Sequence, residues 1–272
     1  MNINIYFKEL KRNRTPFIVW SIIIAVLISW GMFFYPVLME GDTIKQMTVL
    51  FENPFMKGMM AAFGADVAKF TNLLGFYATY NGIYFTLLGS IYSILFTAQV
   101  VAKEEHERTA EFLLTKPVTR IEVMLSKLLA WLTYLFGLNL VIVITAFIGL
   151  EMVKGDQVYP VRAFLIMSCY SFLLMVLFGA IGLLLSILMK RGRSITSVTL
   201  GIVLGGYFID AVSKITRETH VIGYLSPFKF VDNDVLRAGY GFEWWRLLYL
   251  IGFSLILAGL SMVIYKKKDI LV

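Results

Sequence analysis

Six stretches of this chain carry no charged residue and are long enough, or nearly so, to cross a lipid bilayer. They run over 15–39, 70–102, 128–150, 163–189, 194–209 and 247–265. A helix rises 1.5 Å per residue, so about 20 apolar residues span the hydrocarbon layer. The fifth stretch is short and ends at Asp210, which places that carboxylate near a membrane surface. The reading is an all-α membrane protein with six transmembrane helices, near 16–38, 75–101, 122–149, 161–188, 194–212 and 246–265. Composition agrees. Charged residues make up 16% of the 272 and hydrophobic ones 58%, against about 25% and 45–50% for soluble domains. No repeat, linker or second soluble domain is evident, so 1–272 is expected to form one transmembrane domain.

Orientation follows from the basic residues. With the N-terminus inside, 15 of the 25 Lys and Arg fall on the inner side, against 7 of the 18 acidic residues. Positive charge in short loops marks the cytoplasmic side, so both termini are expected inside. The net charge of +7 is then explained by the membrane, with no nucleic-acid partner. The first run is too long, and has too many spans after it, for a cleaved signal peptide. Before it, Ile3, Phe7 and Leu10 share one helical face, which predicts a short helix lying on the inner surface. Thr15-Pro16 supplies an N-cap and a first-turn proline for the span proper. Two outer loops of about 36 and 33 residues contain amphipathic stretches. One holds Ile44, Met47 and Phe51, then Phe55, Met59 and Phe63, at helical spacing.

Several chemistries are excluded. There is no GxxxxGK followed by Ser or Thr to cradle a nucleotide phosphate. His106 and His220 fall on opposite sides and form no zinc motif. No GxSxG elbow is present. The single Cys169 precludes a disulfide within the chain. No metal site, catalytic residue or cofactor is expected on this chain.

The most charged stretch, Lys103 to Lys127, lies in an inner loop. On a helix, Glu104, Glu107, Arg108 and Glu111 share one face. Three carboxylates beside one arginine form a surface that gains from a basic partner. A solvated loop helix with internal salt bridges is the simpler reading of the charges alone. Pro117 stops this helix, and Thr119 with Glu122 forms a capping box for the next.

This pattern resembles the ABC-2 type permeases, the membrane subunits of a class of ABC exporters. The resemblance rests on Thr109-Ala110-Glu111-Phe112-Leu113-Leu114, then Lys116-Pro117-Val118-Thr119-Arg120, then Glu122 and Lys127, preceded by acidic residues such as Glu105. Arg108 stands where many members have glycine. Tyr224-Leu225-Ser226-Pro227-Phe228-Lys229-Phe230 resembles a segment these permeases carry in a re-entrant outer region before the last span. The resemblance implies a separate ATPase that holds ATP and magnesium and docks on the inner loops. It implies a second permease copy, or a similar permease, beside this one in a bacterial or archaeal cytoplasmic membrane. The segment 104–114 would be the coupling helix, with Glu104, Glu105, Glu107, Arg108, Glu111, Pro117 and Arg120 as its contact and turn residues.

Signals inside the spans are weaker. Tyr77, Tyr80, Asn81 and Tyr84 lie on one face of the second span, fit either to line a substrate path or to bond between helices. Ser194, Ser197, Gly201 and Gly205 form a small-residue stripe on the fifth, fit either for a permease–permease seam or for packing within the chain. Asp210 is the one carboxylate inside a span, with Lys214 in reach as a structural partner. The alternative function is a stand-alone secondary transporter, which needs further ionisable groups in the membrane. A membrane-embedded enzyme would need clustered His, Asp or Glu at one depth, and no such cluster is found.

Overall fold

A computed structural model describes residues 2–39, 48–49, 52–65, 67–106, 119–189, 194–216 and 218–267. The described residues form helices and loops, with no strand among them. The long helices are α1 (Ile3–Met39), α5 (Thr86–His106), α6 (Arg120–Val153), α7 (Val161–Leu188), α8 (Ser194–Ser213) and α9 (Trp244–Lys267). Shorter α2 (Pro54–Ala62), α3 (Val67–Thr71) and α4 (Leu73–Tyr80) lie between α1 and α5. A single wide π turn, Asn81–Phe85, joins α4 to α5, so that 73–100 crosses as one unit. Six helices among the described residues are long and apolar enough to cross a membrane. The protein is an all-α membrane protein, as the charge-free runs predicted.

α7 is the central helix and packs against α5, α6, α8 and α9. Glycine allows the closest approaches. A methyl group on Gly179 would overlap Trp131 and lie 2.6 Å from Ser93 Oγ; one on Gly182 would lie 2.6 Å from the Ile94 carbonyl. Ser93 uses this proximity. Its hydroxyl donates to the Met175 carbonyl at 2.6 Å and accepts from the Trp131 indole at 3.1 Å. In lipid there is no hydrophobic force between helices, so such close packing and bonding must hold them together. α1, α6, α8 and α9 each leave an apolar stripe exposed, including Trp30 and Phe33 on α1 and Leu248 and Leu255 on α9.

The N-terminal segment differs from expectation. It does not form a separate surface helix, and Thr15 is no N-cap. α1 continues unbroken through Pro16, an interior proline. Such a proline removes one backbone bond and costs roughly 3 kcal/mol. Contacts with α6 offset it. Asn2 N–H donates to Ser126 Oγ at 2.9 Å and Ser126 donates back to Asn2 O at 3.0 Å. Tyr6 bonds Thr133 at 3.0 Å, and the Tyr134 hydroxyl bonds the Leu10 carbonyl. At 37 residues α1 is about 55 Å long, so its first turns project beyond the hydrocarbon layer. Ile3 and Phe7 remain exposed there.

At the opposite end, which we call the far end, α2 begins at Asn53, whose side chain accepts from Phe55 N–H at 2.9 Å. It rests over α8 with Phe55, Met59 and Phe63 exposed. The preceding Ile44, Met47 and Phe51 lie outside the described residues. Two short 3-10 turns, Thr219–Leu225 and Pro227–Phe230, fold back onto α8.

Candidate functional site

The N-terminal end of the bundle carries the charged segment singled out in the sequence. α5 continues through Glu104 and Glu105 to His106. Glu107, Arg108, Glu111 and Pro117 lie outside the described residues. The chain resumes at Thr119, and the capping box is formed: Thr119 Oγ1 accepts from Glu122 N–H at 3.2 Å, and Glu122 Oε2 accepts from Thr119 N–H at 3.0 Å. Arg120 then opens α6.

Lys127, two turns into α6, is buried, with 3% of its surface exposed. Its ammonium donates to the Val100 carbonyl of α5 at 2.8 Å and lies 3.6 Å from Glu9 Oε1 of α1. Glu9 is itself buried, and its Oε2 accepts from Arg12 at 2.7 Å and from Asn13 Nδ2 at 3.2 Å. A buried ammonium or carboxylate without an opposite charge costs several kcal/mol. The pair therefore requires α1, α5 and α6 to meet here. Val100 precedes residues 104–114 and Lys127 follows them, so one side chain ties together the helices that lead into and out of that segment. The sequence reading included Lys127 but missed Glu9. The available signal was a lone acid among Lys8, Lys11 and Arg12, with Arg12 and Asn13 at i+3 and i+4.

The aromatic face of the second span is divided by the π turn. Tyr77 is fully buried, with its ring 5.5 Å from that of Phe164. Asn81 is buried too, donating to Ser171 Oγ at 2.9 Å and Asn233 Oδ1 at 3.2 Å. Gly82 makes room for this, since a Cβ there would lie 2.9 Å from Asn233 Nδ2. Tyr80 and Tyr84 stand with rings 5.4 Å apart; Tyr80 covers Gly31 of α1, and Tyr84 is exposed. Widened turns of this kind rotate the residues after them and recur at functional sites.

On α8, Ser197 and Gly201 are exposed and Gly205 is half-buried. A Cβ built on Gly201 or Gly205 meets no atom within 4 Å. These two glycines are therefore in close contact with no described part of the chain beyond their own helix; Ser194 is the first residue of α8. At the far end of α8, Asp210 Oδ2 pairs with Lys214 at 2.5 Å, the structural partner expected. Ser226 of the Tyr224–Phe230 segment is buried, donates to the Gly206 carbonyl at 2.7 Å and accepts from Phe228 N–H at 3.2 Å.

Over residues 3–270 the chain matches the family model described as ABC-2 family transporter protein. The chain belongs to the ABC-2 transporter family. No curated relative matches it. The protein is thus a multi-pass membrane permease of an ABC transporter, a transmembrane component of a machine that works in general with an ATPase partner. Among the described residues of the permease, no three His, Cys, Asp or Glu side chains are grouped to hold a metal.

Proposed function

We propose that the permease forms the substrate path of an ATP-driven exporter, as a dimer with a second copy or a similar permease. In this reading both termini face the cytoplasm of a bacterium or archaeon. A separate ATPase, holding ATP and magnesium, docks on 104–114. The observation that carries the reading is the buried Lys127 clip. It roots the charged segment in the bundle and ties it to α1, as a force-transmitting element requires. The excess of carboxylates at Glu104, Glu107 and Glu111 suits a basic surface on the ATPase, since charge complementarity sets register and specificity. The open stripe at Ser197, Gly201 and Gly205 supplies a close-packing face for the second permease. Of the aromatic face, exposed Tyr84, with half-buried Tyr80 beside it, is the part suited to contact a substrate.

The test reverses two charges. Glu107→Lys with Glu111→Lys should leave insertion and abundance unchanged. Co-purification of the ATPase from solubilised membranes should fall at least about tenfold, as should transport-linked ATP turnover in vesicles. Wild-type binding and turnover would remove this segment from coupling. The dimer has its own test. Gly201→Leu with Gly205→Leu should leave the chain folded, because both positions open onto empty space, yet block close helix approach. Cross-linking through α8 should disappear; a variant that cross-links as before would take the seam off this face.

A further inference from the structure

A cavity of about 500 Å³ opens at the far end of the permease, between α2, the π turn, α8 and the two 3-10 turns. Its walls include Asp210, Lys214, His220, Lys229, Tyr224 and Trp245. Most charges around it are matched. Lys69 lies 3.9 Å from Asp234, and Arg246 pairs with Glu243 at 2.6 Å and lies 3.9 Å from Asp232. Two groups keep unused bonding capacity.

The first is Asp210, which is 3% exposed. Lys214 pairs with its Oδ2, but Oδ1 is buried with no hydrogen-bond partner among the described residues. A buried carboxylate oxygen without a donor is costly, and it marks where a donor from outside the chain fits. The second is Lys229. Its ammonium lies 2.7 Å from His220 Nε2 and 5.9 Å over the Tyr224 ring, with no carboxylate within 4 Å among the described residues. Burial pulls Lys229 below the usual lysine range, and Lys214 and Arg246 push the same way while Asp210 opposes them. The cavity thus holds one anion short of a donor and one cation short of an anion. Beside it, Val221, Ile222 and Leu225 leave apolar side chains exposed on the first 3-10 turn.

We propose that this cavity binds a zwitterionic head group, its primary ammonium donating to Asp210 Oδ1 and its phosphate pairing with Lys229. The exposed apolar side chains of the turn that carries His220 and Tyr224 suit the acyl chains of an amphiphile, so the head group is that of an aminophospholipid. The proposal stands apart from ATPase coupling, because these residues lie at the opposite end of the bundle from Thr119 and Lys127.

The test is isothermal titration of the full chain in dodecyl maltoside. The probes are dihexanoyl phosphatidylethanolamine, its phosphatidylcholine and phosphatidylglycerol counterparts, and free phosphoethanolamine. The ethanolamine lipid should bind at least about fivefold tighter than choline, which has no N–H, and than glycerol, which has no ammonium. Asp210→Asn should weaken the ethanolamine lipid about tenfold and leave the glycerol lipid unchanged. Lys229→Gln should weaken all three lipids. Free phosphoethanolamine binding as tightly as the lipid would keep the site and make its ligand a soluble zwitterion; weaker binding makes it a lipid. Equal affinity for the three lipids, within about twofold, would overturn the proposal. So would an Asp210→Asn permease that binds the ethanolamine lipid like wild type. If Asp210→Asn aggregates, wild-type head-group selectivity and Lys229→Gln, which lies outside the spans, decide the matter.

Discussion

Lys127→Ala should lower the stability of the permease by about 1–3 kcal/mol, the cost of leaving a buried acceptor without its donor. The change weakens the surroundings of two groups at once. Glu9 keeps a buried carboxylate with Arg12 and Asn13 but loses its contact to α6, and the Val100 carbonyl loses its donor. An exposed pair would be worth only about 0–1 kcal/mol, so the magnitude separates the two cases. The companion experiment replaces both charges. Lys127→Met with Glu9→Met removes the buried ions together and should recover most of the loss, because apolar groups of similar size often match a buried pair. Thermal unfolding in detergent, followed by size-exclusion chromatography, reads both. A single variant as stable as wild type would mean that the clip does not hold the three helices.

The second large effect is expected at Gly179. Even Gly179→Ala puts a methyl group into Trp131 and 2.6 Å from Ser93 Oγ. Both neighbours are fixed by hydrogen bonds, so neither yields cheaply. Overpacking of this kind costs about 1–3 kcal/mol, and Gly179→Leu should exceed that range and abolish the folded monomer. Gly205→Leu, one helix further along the chain, should not change the melting temperature. The contrast is measured by the yield of monodisperse protein after purification. Equal yields would mean that α5, α6 and α7 are not in close contact at this point.

These two glycines show what the sequence made legible. A small-residue pattern signals close approach, but not to which neighbour. The stripe at Gly201 and Gly205 has the recognisable GxxxG spacing and faces outward. Gly179 and Gly182, at a different spacing, make the contacts within the chain. The spans themselves were readable because desolvation of charge dictates where a chain can cross lipid. The Thr119–Glu122 box was readable because it is local, closing over three residues. The Asp210–Lys214 pair was readable for the same reason, at i, i+4. What escaped was long-range. Nothing near Glu9 announces Lys127, and nothing near Asn81 announces Ser171 and Asn233. Pro16 misled because a helix-terminating propensity of roughly 3 kcal/mol was outweighed by bonds to α6 that local sequence does not encode. The charged residues from Glu107 to Pro117 were the strongest family signal, and they lie outside the described residues.

The bond from Lys127 to the Val100 carbonyl has a mechanical meaning. Because α5 and α6, which lead into and out of the charged segment, are joined at this bond, a load that the proposed ATPase applied to that segment would act as on a crank. Such a load would work against this bond if it slid α5 past α6, and would spare it if it tilted the two together. Glu9 fastens α1 to the same pivot, so the lever arm extends to a helix whose apolar outer stripe is exposed. In the proposed coupling, the turn of that handle would reach the exposed apolar side of α1 through Glu9.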